Sequence, residues 1–259
     1  MSPTEVVIVP TYKREELLFL CLEKIRAQDA EIGILVSSDR GAISEDLVRT
    51  CRKFGATLTT QYSSHYFGNS FNVLTALALE VMVGHSTLHL VEDDTILHPG
   101  YFEWARKMLA TGRYAAVCGH VGNQQDTWYT SPCASWRAVN LRQALEFVPK
   151  GYLEATTREE MQKILDDCPE FKRSRFKFGS CEQDGFFLRV IEYFGWKTAF
   201  PEKPLATHLG AWGYNREGHA GPDGTFEQRV QWCRDLLANR ERRIELFGKR
   251  IVDLEDGLA

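Results

Sequence analysis

Three consecutive carboxylates, Glu92, Asp93 and Asp94, follow an apolar run in the segment HLVEDDTILHPGYF. Alternate side chains of an extended chain point the same way, so we expect Glu92 and Asp94 to converge while Asp93 faces elsewhere. A hard divalent cation would relieve their repulsion, because Mg²⁺ and Mn²⁺ prefer oxygen ligands. A solvated acidic turn that caps the helix beginning near Pro99 is the alternative. The segment is therefore a candidate metal site.

A second chemical pattern is the basic and aromatic segment EFKRSRFKFGS at residues 170–180. Its cations are Lys172, Arg173, Arg175 and Lys177, and the rings between them are Phe171, Phe176 and Phe178. Basic groups neutralise phosphates and aromatic rings stack on unpaired bases, so this composition suits a nucleic-acid strand. A sugar phosphate or a lipid phosphate would suit it equally, and an edge strand with inward phenylalanines needs no ligand at all.

The composition indicates an ordinary globular protein with ample material for a core. The 259 residues are 44% apolar and 25% charged, which fits one large domain or two small ones. A net charge of −4 gives no global attraction to nucleic acid or an anionic membrane. The seven cysteines include no C-x-x-C pair, which favours reduced thiols. With no signal peptide and no apolar run of roughly 18 residues, we expect a soluble cytoplasmic protein.

Short apolar runs alternate with helical patterns along the first half of the chain. Predicted strands cover 5–10, 32–38, 56–62, 86–92 and 114–120, and predicted helices cover 14–28, 44–55, 69–84 and 99–112. This alternation predicts an α/β fold with a mostly parallel sheet and helices on both faces. Such sheets bind ligands at the carboxyl ends of their strands, where the acidic triplet lies. In the second half we expect helices at 157–167, 182–195 and 225–247.

Five ordered blocks resemble a known enzyme family. They are VVIVPTYKREELLFLCLEKI, ILVSSDRG, FGNSFNVLTALAL, LHLVEDDTILHPGYF and CEQDGFFLRVIEYFGWKTAFPEKPLATHLG. They look like the blocks of nucleotide-sugar-dependent glycosyltransferases of the GT-A fold, closest to the inverting family 2. The resemblance implies one GT-A domain over residues 1–259. Within it we expect a nucleotide-sugar-binding half at 1–120, an acceptor and catalytic half at 121–225 and a C-terminal helix at 226–259.

The resemblance also implies roles for individual residues. The nucleotide sugar would be bound by Pro10, Thr11, Tyr12, Arg14, Asp39, Asn72 and Asp93. Asp39 would read the base edge, although SSDRG departs from the usual Asp-Asp or Asp-Asn followed by Gly-Ser. Mn²⁺ or Mg²⁺ would be bound by Asp94 with Glu92 and the late His208. Tyr12 and Asn72 could equally be loop and capping residues, and a lone histidine is more often structural.

The catalytic base is expected at the start of the helix in EQDGFFLRVIEYFGWK. Inverting transfer needs a general base for the acceptor hydroxyl. The family typically has Glu-Asp here, and Gln183 occupies the Asp place if the spacing to Arg189 is kept. Either Asp184 or Glu182 then serves, and we favour Asp184, with Glu182 as a supporting contact. An acidic first turn favoured by the helix dipole is the structural alternative.

The resemblance leaves the acceptor open. We expect a hexosyltransferase that uses a UDP-sugar, with an acceptor site formed by Lys172, Arg173, Arg175, Lys177 and Trp212. One acceptor is a hydroxymethylated base in DNA, as for phage-type enzymes working in a host cytoplasm, with the base flipped out or reached in the major groove. A glycan or a phosphorylated small or lipid acceptor is the alternative. A nucleotidyltransferase would carry a glycine-rich phosphate loop, which PTYKRE lacks, and an inactive GT-A-like module would lose carboxylates.

Overall fold

The computed structural model describes residues 4–61, 68–120, 129–130, 132–176, 181–209, 221–248 and 252. Within these ranges the main sheet contains β1 (Glu5–Thr11), β2 (Gly33–Asp39), β3 (Thr57–Gln61), β4 (Thr87–Val91), β6 (Ala116–Cys118), β7 (Cys133–Arg137) and β8 (Thr198–Ala199). A separate pair consists of β5 (Thr95–Leu97) and β9 (Ala206–His208). The helices are α1 (Glu15–Gln28), α2 (Glu45–Lys53), α3 (Gly68–Val83), α4 (Tyr101–Ala110), α5 (Ala138–Leu145), α6 (Arg158–Asp167), α7 (Gln183–Phe194), α8 (Phe226–Ala238) and α9 (Arg240–Phe247).

The main sheet has the order β3-β2-β1-β4-β7-β6-β8. Strands β1, β2, β3 and β4 pair in parallel with one another, as the alternating pattern predicts. Strand β7 is antiparallel to both β4 and β6, while β8 runs parallel to β6. The mostly parallel α/β sheet expected from the sequence is therefore confirmed, and the carboxyl ends of β1, β2 and β4 lie side by side.

Helices cover both faces of the sheet because each face is apolar. One face packs against α3, α5, α6 and α7, with Trp136 and Phe187 among its fully buried side chains. The other face packs against α1, α2 and α4. A third cluster joins the outer side of α1 to α8 through Phe19 and Phe226, whose rings meet edge to face at 5.8 Å.

The C-terminal region differs from its sequence prediction. We expected one helix over 225–247, and more broadly over 226–259, but α8 ends at Ala238 and α9 begins at Arg240. Asn239 has an extended backbone, and its side chain accepts a hydrogen bond from Arg242 N at 3.0 Å. Asparagine is a preferred helix N-cap, so this residue ends one helix and starts the next. Across the described ranges, none of these helices is both long and apolar enough to cross a bilayer.

A series of hydrogen bonds between buried side chains holds Tyr101 in the core beneath the sheet. The Tyr101 hydroxyl lies 2.5 Å from Ser135 Oγ, which lies 2.6 Å from His89 Nδ1. Gly119 packs directly on the Tyr101 ring, where an added Cβ would lie 2.6 Å from Cε2. The ring cannot retreat without breaking its hydrogen bond. Gly119 is therefore required by packing at the end of β6.

Substituting Gly119→Ala should destabilise the protein by about 1 to 3 kcal/mol, the usual range for overpacking a filled core. Denaturant unfolding would measure this loss. Gly33→Ala is the matched control, because its added Cβ meets its nearest atom, Glu5 O, at an ordinary 3.4 Å. Equal unfolding free energies for the two variants would contradict this account of Gly119.

Candidate active site

The acidic triplet forms a tight turn at the carboxyl end of β4. Thr95 N donates to Glu92 O at 2.9 Å, and Glu92 N donates to Pro132 O at 2.9 Å. The chain is therefore turned here, and not extended as the alternation argument assumed. The predicted convergence of Glu92 and Asp94 is still found, because their side chains approach one point together with His208. Asp93 faces Thr11 at the end of β1 instead.

Arg14 balances the charges of two buried carboxylates. Its guanidinium forms ion pairs with Asp93 and, at 2.6 Å, with Asp94. Thr11 Oγ1 also donates to Asp93 Oδ2 at 2.7 Å. Burial alone would lower the pKa of Arg14, but the two carboxylates raise it further above its usual value, so the side chain stays charged. The loop after β1 is thereby fastened to the turn after β4.

Glu92, Asp94 and His208 form the one group of three metal-ligating side chains found in the described part of the chain. One ligand atom from each lies within 4.8 Å of the others. His208 Nε2 lies 3.2 Å from Asp94 Oδ1 and 3.7 Å from Glu92 Oε2. Antiparallel pairing of Thr95 with His208 brings the histidine to this place. Metal–oxygen distances of about 2.1 Å put opposite ligands about 4 Å apart, so two carboxylates and an imidazole at this spacing fit a divalent cation.

The charges of this cluster act strongly on one another. Burial and the neighbouring charges of Asp94 and Asp184 raise the pKa of Glu92 to about 7. Burial disfavours the charged form of His208, but Asp94 and Glu92 raise its pKa to about 9. Burial also opposes ionisation of Asp94, yet Arg14 and His208 hold its pKa below its usual value. The carboxylates of the cluster carry more negative charge than Arg14 and His208 balance. A bound cation would neutralise this excess.

The start of α7 distinguishes the two candidates for the catalytic base. Half-buried Asp184 lies close enough to Glu92 for its charge to raise the pKa of that group. Glu182 Oε1 accepts from Arg158 Nη2 at 2.6 Å. Gln183 is buried, and its backbone N donates to Ser70 Oγ at 3.1 Å. Asp184 therefore lies near the acidic cluster, whereas Glu182 is bonded to α6 and Gln183 packs on α3.

The residues assigned to the nucleotide lie along the adjacent strand ends. Pro10 and Thr11 end β1, and buried Asp39 ends β2 with its Oδ1 atom unpaired among the described residues. Burial raises the pKa of Asp39, although Arg40 opposes the effect. Lys13 Nζ lies over the Tyr12 ring, 5.2 Å from the ring centroid. Pro10, Thr11 and Asp39 thus end their strands at the same edge of the sheet as the acidic turn.

Asn72 has a different environment from the other nucleotide candidates. Its Nδ2 donates to Ser37 O at 2.9 Å, and its Oδ1 accepts from Ser37 Oγ at 2.6 Å. The side chain is 1% exposed and joins α3 to β2. A nucleotide contact by Asn72 stays a prediction.

Sequence reasoning missed His120, which follows β6. Its ring lies edge to face with that of His208, with centroids 6.0 Å apart. Burial, with the nearby charge of His208, lowers the pKa of His120 to about 4, so the ring is neutral. None of the five ordered blocks contains this residue, which lies at the end of the predicted strand 114–120.

The basic segment lies away from the acidic turn. Lys172 and Arg173 are exposed and line a cleft with Glu192 and Tyr193, which belong to the opposite end of α7 from Asp184. Arg175 pairs with Glu192 at 3.3 Å. Phe171 is 1% exposed in the core, as the alternative of inward phenylalanines expects, so its ring cannot stack on a ligand. Lys177, Phe178 and Trp212 lie outside the described residues.

Similarity to solved structures is remote. A mannosyltransferase from Pyrobaculum calidifontis, in complex with GDP-Man and Mn²⁺, is 15% identical over 98% of this chain and 86% of its own, with a TM-score of 0.44. Glucosyl-3-phosphoglycerate synthase from Mycobacterium tuberculosis is 14% identical over 53% and 57%, with a TM-score of 0.43. A cytidylyltransferase from Leptospira borgpetersenii is 12% identical over 74% and 95%, with a TM-score of 0.44.

Family membership is defined by sequence. No curated protein matches the chain. Residues 3–234 match the family described as Glycosyltransferase like family 2, which covers most of the sequence, including β1, the acidic turn, α7 and His208. The chain therefore belongs to glycosyltransferase family 2 and is a GT-A glycosyltransferase.

Proposed function

We propose that this glycosyltransferase moves a hexose from a nucleotide diphosphate sugar, with UDP-sugars preferred, to an acceptor hydroxyl with inversion. The observation that carries this proposal is the convergence of Glu92, Asp94 and His208 at the carboxyl edge of the sheet, with Asp184 near enough to act on Glu92. This edge is where α/β sheets bind nucleotides. Asp39, with its buried carboxylate oxygen, would accept from the donor's base.

The proton is transferred within the same site. The acceptor oxygen attacks the anomeric carbon, its proton passes to Asp184, and the bond to the diphosphate oxygen breaks as the nucleotide leaves. A divalent cation at Glu92, Asp94 and His208, when bound, supplies positive charge to that diphosphate. Arg14 keeps Asp94 ionised and correctly placed for this role. Attack from the face opposite the leaving group gives inversion.

For the acceptor we propose hydroxymethylated DNA bound by Lys172 and Arg173. Both cations are exposed, and neither forms an ion pair within the described ranges. Arg175 adds less attraction, because Glu192 neutralises it. The segment lies at the far end of α7, so it would bind the phosphate backbone while the modified base enters the site beside Asp184.

Replacing the metal ligand Asp94→Asn should abolish Mn²⁺-dependent binding of a UDP-sugar, because the carboxylate that joins metal and protein is removed. Calorimetry with and without Mn²⁺ would measure this. Asp167→Asn, at an exposed carboxylate on α6, is the matched control and should bind normally. Retention of metal-dependent binding in Asp94→Asn would rule out this metal site.

Removing the proposed base in Asp184→Asn should leave donor binding intact and lower turnover by about two to four orders of magnitude, as expected when general-base catalysis is removed. The rates of sugar transfer and donor hydrolysis would be compared with those of Glu182→Gln. This control removes a neighbouring carboxylate that is bonded to Arg158. If Glu182→Gln lost turnover and Asp184→Asn did not, Glu182 would be the base.

Binding of DNA should weaken steeply with salt, and Lys172→Gln with Arg173→Gln should flatten the log-log slope by about 0.9 for each duplex phosphate that the protein no longer neutralises. Lys163→Gln is the control, since Lys163 is an exposed cation on α6 outside this segment. Transfer of labelled sugar would be measured on hydroxymethylated DNA, unmodified DNA and glycans. Transfer to glycans alone would exclude the DNA acceptor and leave the donor chemistry intact.

A further inference from the structure

A second cleft, of about 690 Å³, lies at the opposite edge of the sheet from the acidic turn. It is formed where α4 leads into β6, where β7 passes into α5, and where α7 leads into β8. Arg137 in this cleft pairs in register with Thr87, the first residue of β4, whereas Glu92 follows the last. Five residues of strand separate the two places by roughly 16 Å. A small molecule in this cleft could not reach the metal ligands.

Three cationic residues line the cleft, and no carboxylate is among the lining residues: Arg113, Arg137 and Lys197. None of them has an ion pair within the described chain. Backbone hydrogen bonds hold the segments together, because Ala115 N donates to Lys197 O at 3.0 Å and Arg137 N donates to Ala115 O at 3.3 Å. The fold therefore places three like charges along one cleft, where an anion would be attracted.

Two other surface clefts of similar size show that this charge pattern is not general. The cleft beside Lys172 and Arg173 also contains Glu170 and Glu192. The cleft beside α2 contains Glu45 and Asp46 together with its arginines. Both of these clefts therefore contain carboxylates as well as cations. The three unbalanced cations stand out further in a chain whose net charge is −4.

The cleft also offers groups that suit a sugar ring. Trp196 lines it and is stacked on Phe194, with ring centroids 4.5 Å apart and planes 14° apart, so its orientation is fixed. Tyr114 contributes a second ring. Asn140 Oδ1 is buried and accepts no hydrogen bond from the described residues. A ring beside a carbonyl acceptor provides an apolar surface and a partner for a hydroxyl, a combination typical of small-molecule sites.

We propose that this cleft is a second binding site, specific for a phosphorylated sugar. Arg113, Arg137 and Lys197 bind the phosphate, since guanidinium groups match phosphate oxygens in pairs. The sugar packs beside Trp196 and donates a hydroxyl hydrogen bond to Asn140 Oδ1. The ligand occupies a place separate from donor and acceptor and takes no part in the transfer step.

The test is calorimetry of the full chain with a hexose 6-phosphate, in the absence of divalent cations. Arg137→Gln and Lys197→Gln should each weaken binding about tenfold or more, because each removes a charged hydrogen-bond donor. Arg142→Gln is the control, since Arg142 is an exposed cation on α5 that does not line the cleft, and it should bind as the wild type does. Unchanged Mn²⁺-dependent UDP-sugar binding would show that the cleft variants are folded.

Inorganic phosphate and a nucleoside monophosphate are the comparison ligands. Weaker binding of both than of the hexose phosphate is the expected result. Inorganic phosphate binding as tightly would overturn the sugar specificity, and tighter binding of the nucleoside monophosphate would identify a nucleotide site instead. Absence of saturable binding to the wild type, or equal affinities in the wild type and both cleft variants, would overturn the site itself.

Discussion

The interaction on which the active site depends is the contact of Arg14 with Asp93 and Asp94. Both carboxylates are almost completely buried, and burying an unpaired charge costs several kcal/mol. The pairing is possible because β1 and β4 are adjacent parallel strands, so that residues 80 apart in the chain end at the same edge. The order of strands in the sheet thus determines which charges can meet, and the arginine offsets the cost of burying the acidic turn.

The two edges of the sheet carry opposite electrostatic characters. At the carboxyl edge, Glu92 and Asp184 lie beside carboxylates already paired with Arg14, and negative charge predominates. At the amino edge, Arg137 and Lys197 come together without acids among the lining residues. The small net charge of the chain conceals this separation. Local fields of this kind select ligands, whereas total charge does not.

Much of the fold could be predicted from sequence, because the first four strands and helices have clear apolar periods and follow one another in chain order. The acidic triplet was recognisable for the same reason, since it directly follows a buried strand. Strand β7 was not predicted: its five residues include Ser135 and Arg137, and its place is set by pairing with β4 and β6. The break at Asn239 was missed because apolar residues continue on both sides of it.

The side chains of the candidate site could likewise be predicted from the sequence only in part. Family blocks pointed to His208, but only the pairing of β9 with β5 explains how it reaches Asp94. The choice between Glu182 and Asp184 depends on the rotation of α7 about its axis, which hydrogen bonds to Arg158 and Ser70 determine. Neither partner is near α7 in sequence. His120 has no sequence signal at all, because its position follows from where β6 ends.

The pairing of β5 with β9 also has a consequence for how the chain folds. Thr95 and His208 close a loop between residues far apart in the sequence, and such long-range contacts are slow to form. The proposed metal ligands therefore come together only after the C-terminal half has docked on the first. A cation bound there would be linked to the native state alone and would stabilise it by mass action. Metal occupancy would thus report that synthesis and folding of both halves are finished.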